Sequence, residues 1–307
     1  MSEHSKTLSG PQAPALPGAV PSWRDYLELT KPRVVALMIM TSVIGMLLAR
    51  PGIPPWQILI FGNLGIALLA GAAAVINHVV DRKIDTVMAR TRKRPVATGR
   101  IQLVDALAFA ATLALSGMLV LVLQVNTVTA WLTLASLVGY AGVYTLFLKR
   151  ATPQNIVIGG LAGAMPPLLG WTAVTGQVEG HGLLLVLIIF AWTPPHFWAL
   201  AIHRKEEYAR AGIPMLPVTH GNQYTELHIL LYTLMLLAVS LLPFVTGMSG
   251  LLYLLGALGL GGRFVHYAVR LFRHDDRQVA LATFKYSITY LMLLFVVLLA
   301  DHFIMVG

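Results

Sequence analysis

The sequence has no cysteine. That absence removes disulfides, iron–sulfur clusters, thiolate metal sites and cysteine nucleophiles together. Charge is scarce too: 11% of the 307 residues are Asp, Glu, Lys or Arg, against about 25% in an ordinary soluble domain. Acids are the scarcer sign, 13 Asp and Glu against 22 Lys and Arg, for a formal charge of +9. There is no P-loop, no GxSxG elbow, no HExxH helix and no GxGxxG turn after a strand. What is present is apolar: 57% of residues are hydrophobic and the mean hydropathy is +0.73. Long apolar runs broken by short polar ones predict an all-α, polytopic membrane protein. The lipid bilayer is then its first partner, and no nucleic acid is expected to bind.

Residues 1–22 are rich in Pro, Ala, Gly and Ser and lack the basic start and apolar core of a signal peptide. They are expected to form a disordered cytoplasmic tail ahead of a membrane domain at 23–307. Nine apolar segments follow, at 34–49, 56–79, 104–124, 127–148, 154–175, 182–202, 226–247, 250–271 and 283–305. Each is near the roughly 20 residues a bilayer crossing needs. Lys and Arg divide 21 to 1 between the two sides, with Arg50 alone on the poorer one. The positive-inside rule then puts the N-terminus in the cytoplasm and the C-terminus outside. The longest loops, after spans 2 and 6, share the cytoplasmic side, so functional residues are expected at the cytoplasmic ends of spans 2, 4 and 6.

The richest polar stretch closes span 2. Asn77, Asp81 and Asp85 are spaced i, i+4, i+8. On a continuing helix they form one stripe, about 40° apart in succession. Two carboxylates and an amide oxygen are hard ligands suited to Mg²⁺, which keeps waters and bridges to phosphates. Downstream, 90–100 carries five bases, Arg90, Arg92, Lys93, Arg94 and Arg100.

 Positive-inside bias accounts for such a charge count, but not for the acids directly upstream; acids for metal beside bases for phosphate fit a phosphate ester, with Arg90 and Arg94 as its bases.

Two further clusters lie on the same side. After span 6, His203 and Glu207 are i, i+4, a spacing that lets both face one metal or one metal–phosphate cluster, with Arg204 between them. His196 lies two turns earlier, inside the apolar run and beside Trp198; it is a functional candidate as a polar group within a span, or else a packing histidine. Span 4 ends with Tyr144, Lys149 and Arg150, a phenol and two cations that can hold a diphosphate or simply sit at the interface. Pro166-Pro167 and Pro194-Pro195 are expected to break spans 5 and 6 near mid-membrane. Two broken, Gly-lined helices would leave a cavity for a large apolar ligand.

These residues resemble the UbiA superfamily of intramembrane prenyltransferases. The family's N-x-x-x-D-x-x-x-D stands as Asn77, Asp81 and Asp85, and its R-T-x-x-R-P as residues 90–95. Longer signatures are T-P-x-N-I-V-I-G-G at 152–160, A-G-A-x-P-P-L-x-G-W at 162–171, P-P-H-F-W at 194–198 and A-G-I-P-M-L-P-V at 211–218. They are similar to the haem-farnesylating branch of the superfamily.

The resemblance implies a nine-helix fold in a bacterial inner membrane. It implies Mg²⁺, catalysis by Asn77, Asp81 and Asp85, and metal binding by Asp81, Asp85 and Glu207. Diphosphate would fall to Arg90, Arg94, Tyr144, Lys149, Arg150, His203 and Arg204, and haem to His196 and Trp198. The reaction implied is transfer of farnesyl from farnesyl diphosphate to a vinyl group of haem B, with water added, giving haem O. Haem is then a substrate rather than a redox cofactor, and haem A synthase or terminal-oxidase assembly factors are candidate partners. The chain departs from the superfamily where many members carry a second D-x-x-x-D, here His203 to Glu207. Competing readings are a prenyltransferase for a quinone precursor, and a transporter with broken helices. A transporter places its ionisable groups near the midplane, whereas Asp81, Asp85 and Glu207 are expected at one face.

Overall fold

The computed structural model describes residues 21–88 and 91–306. The expected tail, up to residue 20, and Arg90 lie outside the described residues. Among the described residues every regular element is helical. The helices are α1 (Trp23–Leu29), α2 (Pro32–Leu48), α3 (Trp56–Asp85), α4 (Leu103–Gln124) and α5 (Thr127–Leu137). The last continues as a π-helix over Val138–Leu148 and ends in the short α6 (Lys149–Ala151). There follow α7 (Asn155–Ala164), α8 (Pro166–Thr175), α9 (Gly180–His203), α10 (Lys205–Arg210), α11 (Leu216–Thr219), α12 (Asn222–Val245), α13 (Leu251–His274) and α14 (Arg277–Val306).

Eight of these stretches are long and apolar enough to cross a membrane, and α1 with α2, bent by 53°, makes a ninth. The chain is a multi-pass membrane protein. The nine segments read from the sequence coincide with these helices, and α3 runs on past its apolar part to Asp85. That extension carries the stripe of polar residues into a continuous helix.

Proline acts differently in the two places where a break was expected. Pro166 starts α8 after α7 has ended at Ala164, so span 5 is two half-helices. Proline at a first helical position needs no hydrogen bond from its missing N–H. Pro194 and Pro195 do not break span 6: α9 is one helix from Gly180 to His203 with both inside it. A membrane helix tolerates proline where neighbours re-satisfy the backbone. Here α9 is clamped by α7, α12 and α14 on several sides. The expected cavity between two broken helices therefore reduces to one broken helix against an intact one.

Glycine sets the closest crossing. A Cβ on Gly45 of α2 would overlap the Pro167 carbonyl oxygen, and one on Gly170 of α8 would overlap the Ser42 carbonyl oxygen. The two helices therefore touch backbone to backbone, the usual use of small residues between membrane helices. The largest apolar cluster joins α2, α8, α9, α12, α13 and α14, with Trp192, Phe264, Tyr290 and Phe295 among its members.

Candidate active site

The site is built at the C-terminal end of α3. Asn77, Asp81 and Asp85 are 4%, 2% and 3% exposed, so all three polar side chains are buried. Asn77 Nδ2 donates to Asp81 Oδ2 at 2.9 Å, which ties the stripe along its helix. Each member also meets a cation from another part of the chain. Lys31, between α1 and α2, donates to Asn77 Oδ1. Lys149, from α6, reaches Asp81 Oδ2 at 2.5 Å. Arg94 Nη1 donates to both oxygens of Asp85, at 2.9 and 2.8 Å. The adjacent cations offset part of the cost of taking these carboxylates out of water.

The π-helix forms the facing wall. Its wider turn pairs residues five apart, and Thr145 Oγ1 donates to the Tyr140 carbonyl at 2.8 Å. Thr145 Oγ1 also stands 3.5 Å from Asn77 Nδ2. Tyr140 and Tyr144 stack at 5.6 Å between centroids. A Cβ on Gly159 of α7 would overlap the Tyr144 ring, so that glycine seats the tyrosine. Such π-turns occur frequently at functional sites. Asn155 Nδ2 donates to the Lys149 carbonyl at 3.3 Å, which steadies the turn that carries the lysine.

The donor chemistry fits a hard divalent cation. Asp81 Oδ1 is buried and without a hydrogen-bond partner, although an orphaned carboxylate oxygen is costly to bury. With Asp85 and the Asn77 amide oxygen it supplies the oxygen-rich set that Mg²⁺ takes together with water and phosphate. Among the described residues, no three His, Asp or Glu side chains form a group that could hold a metal without such additions.

The cluster after span 6 is arranged otherwise. The α9 helix stops at His203, and Arg204 leaves helical geometry at φ −110° before α10 begins at Lys205. The i, i+4 relation between His203 and Glu207 therefore does not put them on one helical face, which corrects the reading from spacing. His203 Nδ1 lies 3.3 Å from the Arg277 carbonyl, which an imidazole N–H alone can satisfy. Glu207 pairs with Arg204 at 3.7 Å, partly exposed. Glu206 takes Arg277 at 2.6 Å, and the hydrogen bond from that guanidinium holds the Glu206 carboxyl below its usual range.

The two residues expected at haem separate. Trp198 is fully buried, edge-on to Tyr232 and His228, and so packs α9 on α12. His196 stacks on Trp192 at 4.1 Å and lies against Phe284 of α14 at 4.6 Å. Its Nδ1 is 2.7 Å from Ser287 Oγ. That hydroxyl donates to the Phe284 carbonyl at 2.6 Å, so His196 Nδ1 carries the proton and Nε2 keeps its lone pair.

Lys31 and Thr145 are site residues that spacing does not reveal. Lys31 reads only as one more cytoplasmic charge. A residue before proline is expected in extended geometry, yet Lys31 takes φ 51° and ψ 59°, and it reaches Asn77 from that conformation.

The UbiA prenyltransferase family model matches residues 38–299. Among similar proteins, a protoheme IX farnesyltransferase of Marinobacter nauticus is 86% identical over 285 residues, covering 93% of this chain and 94% of the relative. One of Hahella chejuensis is 69% identical over 286 residues, covering 93% and 96%. Solved structures share the fold at low identity. A digeranylgeranylglyceryl phosphate synthase superposes with a TM-score of 0.79 at 18% identity, over 91% of this chain and 98% of the other. A UbiA homologue from Archaeoglobus fulgidus bound to GPP and Mg²⁺ gives 0.59 at 16%, over 89% and 99%. With the family model spanning most of its length and relatives this similar across nearly all of it, the chain belongs to the UbiA prenyltransferase family.

Proposed function

We propose that this protein transfers farnesyl from farnesyl diphosphate to a vinyl group of haem B, with addition of water, to give haem O. The observation that carries the proposal is the buried Asn77–Asp81–Asp85 stripe, each member met by a base, in a chain 86% identical to a named protoheme IX farnesyltransferase. Asp81, Asp85 and Asn77 would hold Mg²⁺, and Glu207, from the turn after span 6, would be its further ligand. The metal, when bound, neutralises charge on the diphosphate. Lys149, Arg94 and the Tyr144 hydroxyl would take diphosphate oxygens, with Arg90, Arg150, His203 and Arg204 as the further candidates for that role.

The allylic C–O bond breaks with its electron pair leaving on diphosphate. Lys149 and Arg94 stabilise that developing charge more than the ground state, which is what lowers the barrier. The vinyl π electrons form the new C–C bond to the allylic carbon. Water adds to the resulting cation beside the porphyrin and gives up a proton. Tyr140 and Tyr144 wall the reacting carbon from bulk water until the bond has formed.

His196 is the proposed haem contact, since its Nε2 lone pair suits haem iron while Ser287 fixes the tautomer; Trp198, expected from the sequence beside it, packs α9 on α12 instead. The 21-to-1 division of Lys and Arg supports a cytoplasmic N-terminus and an external C-terminus. The bacterial relatives support an inner-membrane location, with haem A synthase or oxidase assembly factors downstream.

The test is purified protein with farnesyl diphosphate, haem B and Mg²⁺, following diphosphate release and the mass of extracted haem. The expected result is diphosphate together with haem O. Diphosphate release that needs an aromatic quinone precursor instead would favour the alternative acceptor, and no release would favour a transporter. In the same assay His196→Ala should weaken haem binding, read from the Soret band, and leave farnesyl diphosphate binding intact.

A further inference from the structure

Behind the stripe, where α1 meets α2, lies a basic hollow of 420 Å³. Arg24, Lys31, Arg33, Arg94 and His78 line it, with Glu28 as the acid among them. Three features point to an anion. The first is the charge on its wall: Arg94 is paired with Asp85 and Lys31 reaches Asn77, but Arg24 and Arg33 have only Glu28 as an acid in the same lining. The second is the N-terminus of the 17-residue α2, which has no side-chain cap and no acid in its first turn. Pro32 has no N–H, and the Val34 and Val35 N–H groups bond the Lys31 carbonyl, so the Arg33 N–H and the helix dipole are what this end offers an anion.

The third feature is His78. It is 2% exposed, and neither ring nitrogen has a hydrogen-bond partner. Next to Asn77 in sequence, it is turned about 100° around α3 from the stripe, and it lines the hollow. A buried imidazole without partners is costly, and an oxygen ligand in the hollow would satisfy it.

The hollow does not stand alone. An apolar groove of 340 Å³ shares Leu27 and Pro32 with it and continues between α2, α3 and α4 past Val35, Leu68 and Leu113. A charged head and a hydrocarbon chain therefore fit the two spaces together. At the corner Trp23 is largely exposed, with Arg24 over its ring, the arrangement of an interfacial anchor. Leu27 and Val34 beside it are exposed too.

We propose that the hollow and groove bind an anionic membrane lipid, its phosphate among Arg24, Arg33, Lys31 and His78 and one acyl chain in the groove. The groove runs on a different face of α3 from Asn77, Asp81 and Asp85, while the hollow borders the diphosphate site and shares Arg94 with it. Lys31 belongs to both, because it lines the hollow and reaches Asn77. A lipid phosphate there draws on the cation that contacts the stripe, which couples leaflet charge to the site.

Native mass spectrometry of the full chain from nanodiscs of equal phosphatidylglycerol and phosphatidylcholine reads the proposal directly. Wild type should retain phosphatidylglycerol in preference. Each of Arg24→Gln and Arg33→Gln should cut that retention about fivefold, the worth of one base near a membrane surface. His78→Leu should also reduce it while the protein stays monodisperse and keeps its melting temperature. Equal retention of the two lipids by wild type, or an unchanged preference in the Arg24→Gln/Arg33→Gln variant, overturns the proposal. So does one-for-one displacement of bound phosphatidylglycerol by a non-hydrolysable farnesyl diphosphate analogue or by haem B, which would make the hollow a substrate site.

Discussion

The polar ends of α3 and α9 look alike in sequence and differ in the molecule. Both place acids and bases after an apolar run on the same side of the bundle. At the end of α3 the acids are buried, and their cations come from distant segments, Lys31, Lys149 and Arg94. At the end of α9 the helix stops at His203, and Glu206 and Glu207 take guanidinium partners in partly or fully exposed positions. The contrast teaches that spacing identifies candidates and burial ranks them. Carboxylates kept in a dry site, each by a cation from another segment, are expensive to maintain, and they mark where the chemistry sits. An exposed ion pair contributes little.

The widest test of this ranking is Asp81→Ala. It leaves Lys149 buried without its partner, which costs about 3–5 kcal/mol of stability, and it removes a proposed metal ligand. Turnover should fall by about three orders of magnitude, the scale of losing a major electrostatic group. Asp81→Asn with Lys149→Gln keeps a neutral, hydrogen-bonded pair and should recover the melting temperature but not turnover. Recovery of turnover in that double variant would make the pair structural and dissolve the distinction between the two ends.

Glu207→Gln sharpens the comparison at intermediate size. If Glu207 is a peripheral ligand of the metal, its loss should raise the Mg²⁺ concentration needed for half-maximal rate by about tenfold and leave the melting temperature unchanged. An effect as large as that of Asp81→Ala would put the two ends on an equal footing.

The smallest effect belongs to Glu206. Its carboxyl is depressed by Arg277, so the tie is complete above the ordinary carboxylate range and is lost as pH falls through the lowered value. Glu206→Gln should therefore leave thermal unfolding at neutral pH unchanged, and any difference between variant and wild type should shrink further in acid. A large loss of stability at neutral pH would show that exposure does not rank these residues.

Much of this was legible in the sequence because the membrane simplifies the physics. Apolar runs of fixed length had to become helices, and the i, i+4, i+8 spacing of Asn77, Asp81 and Asp85 stayed true because α3 continues to Asp85. The same spacing failed for His203 and Glu207 because the backbone turns at Arg204. No pattern in the sequence announces that turn. Pro194-Pro195 misled for the opposite reason: packing from α7, α12 and α14 holds a helix that local chemistry would bend. Lys31 was invisible because its role depends on a backbone conformation unusual for its type, and on a partner 46 residues away. The π-helix over Val138–Leu148 shifts side-chain pairing from four residues to five, so helical arithmetic there assigns the wrong neighbours.

The backbone contact between α2 and α8 limits how this molecule can change over generations. At Gly45 and Gly170 the smallest possible side chain, a single methyl group, already collides with a carbonyl oxygen of the opposite helix. Most helix crossings drift by trading one side chain for another of nearby size, each step leaving a working intermediate. This crossing has no such neighbouring steps, since every alternative to glycine pushes two helices apart. The first span and the second half of the fifth therefore constrain each other, since a change at either glycine requires both helices to shift.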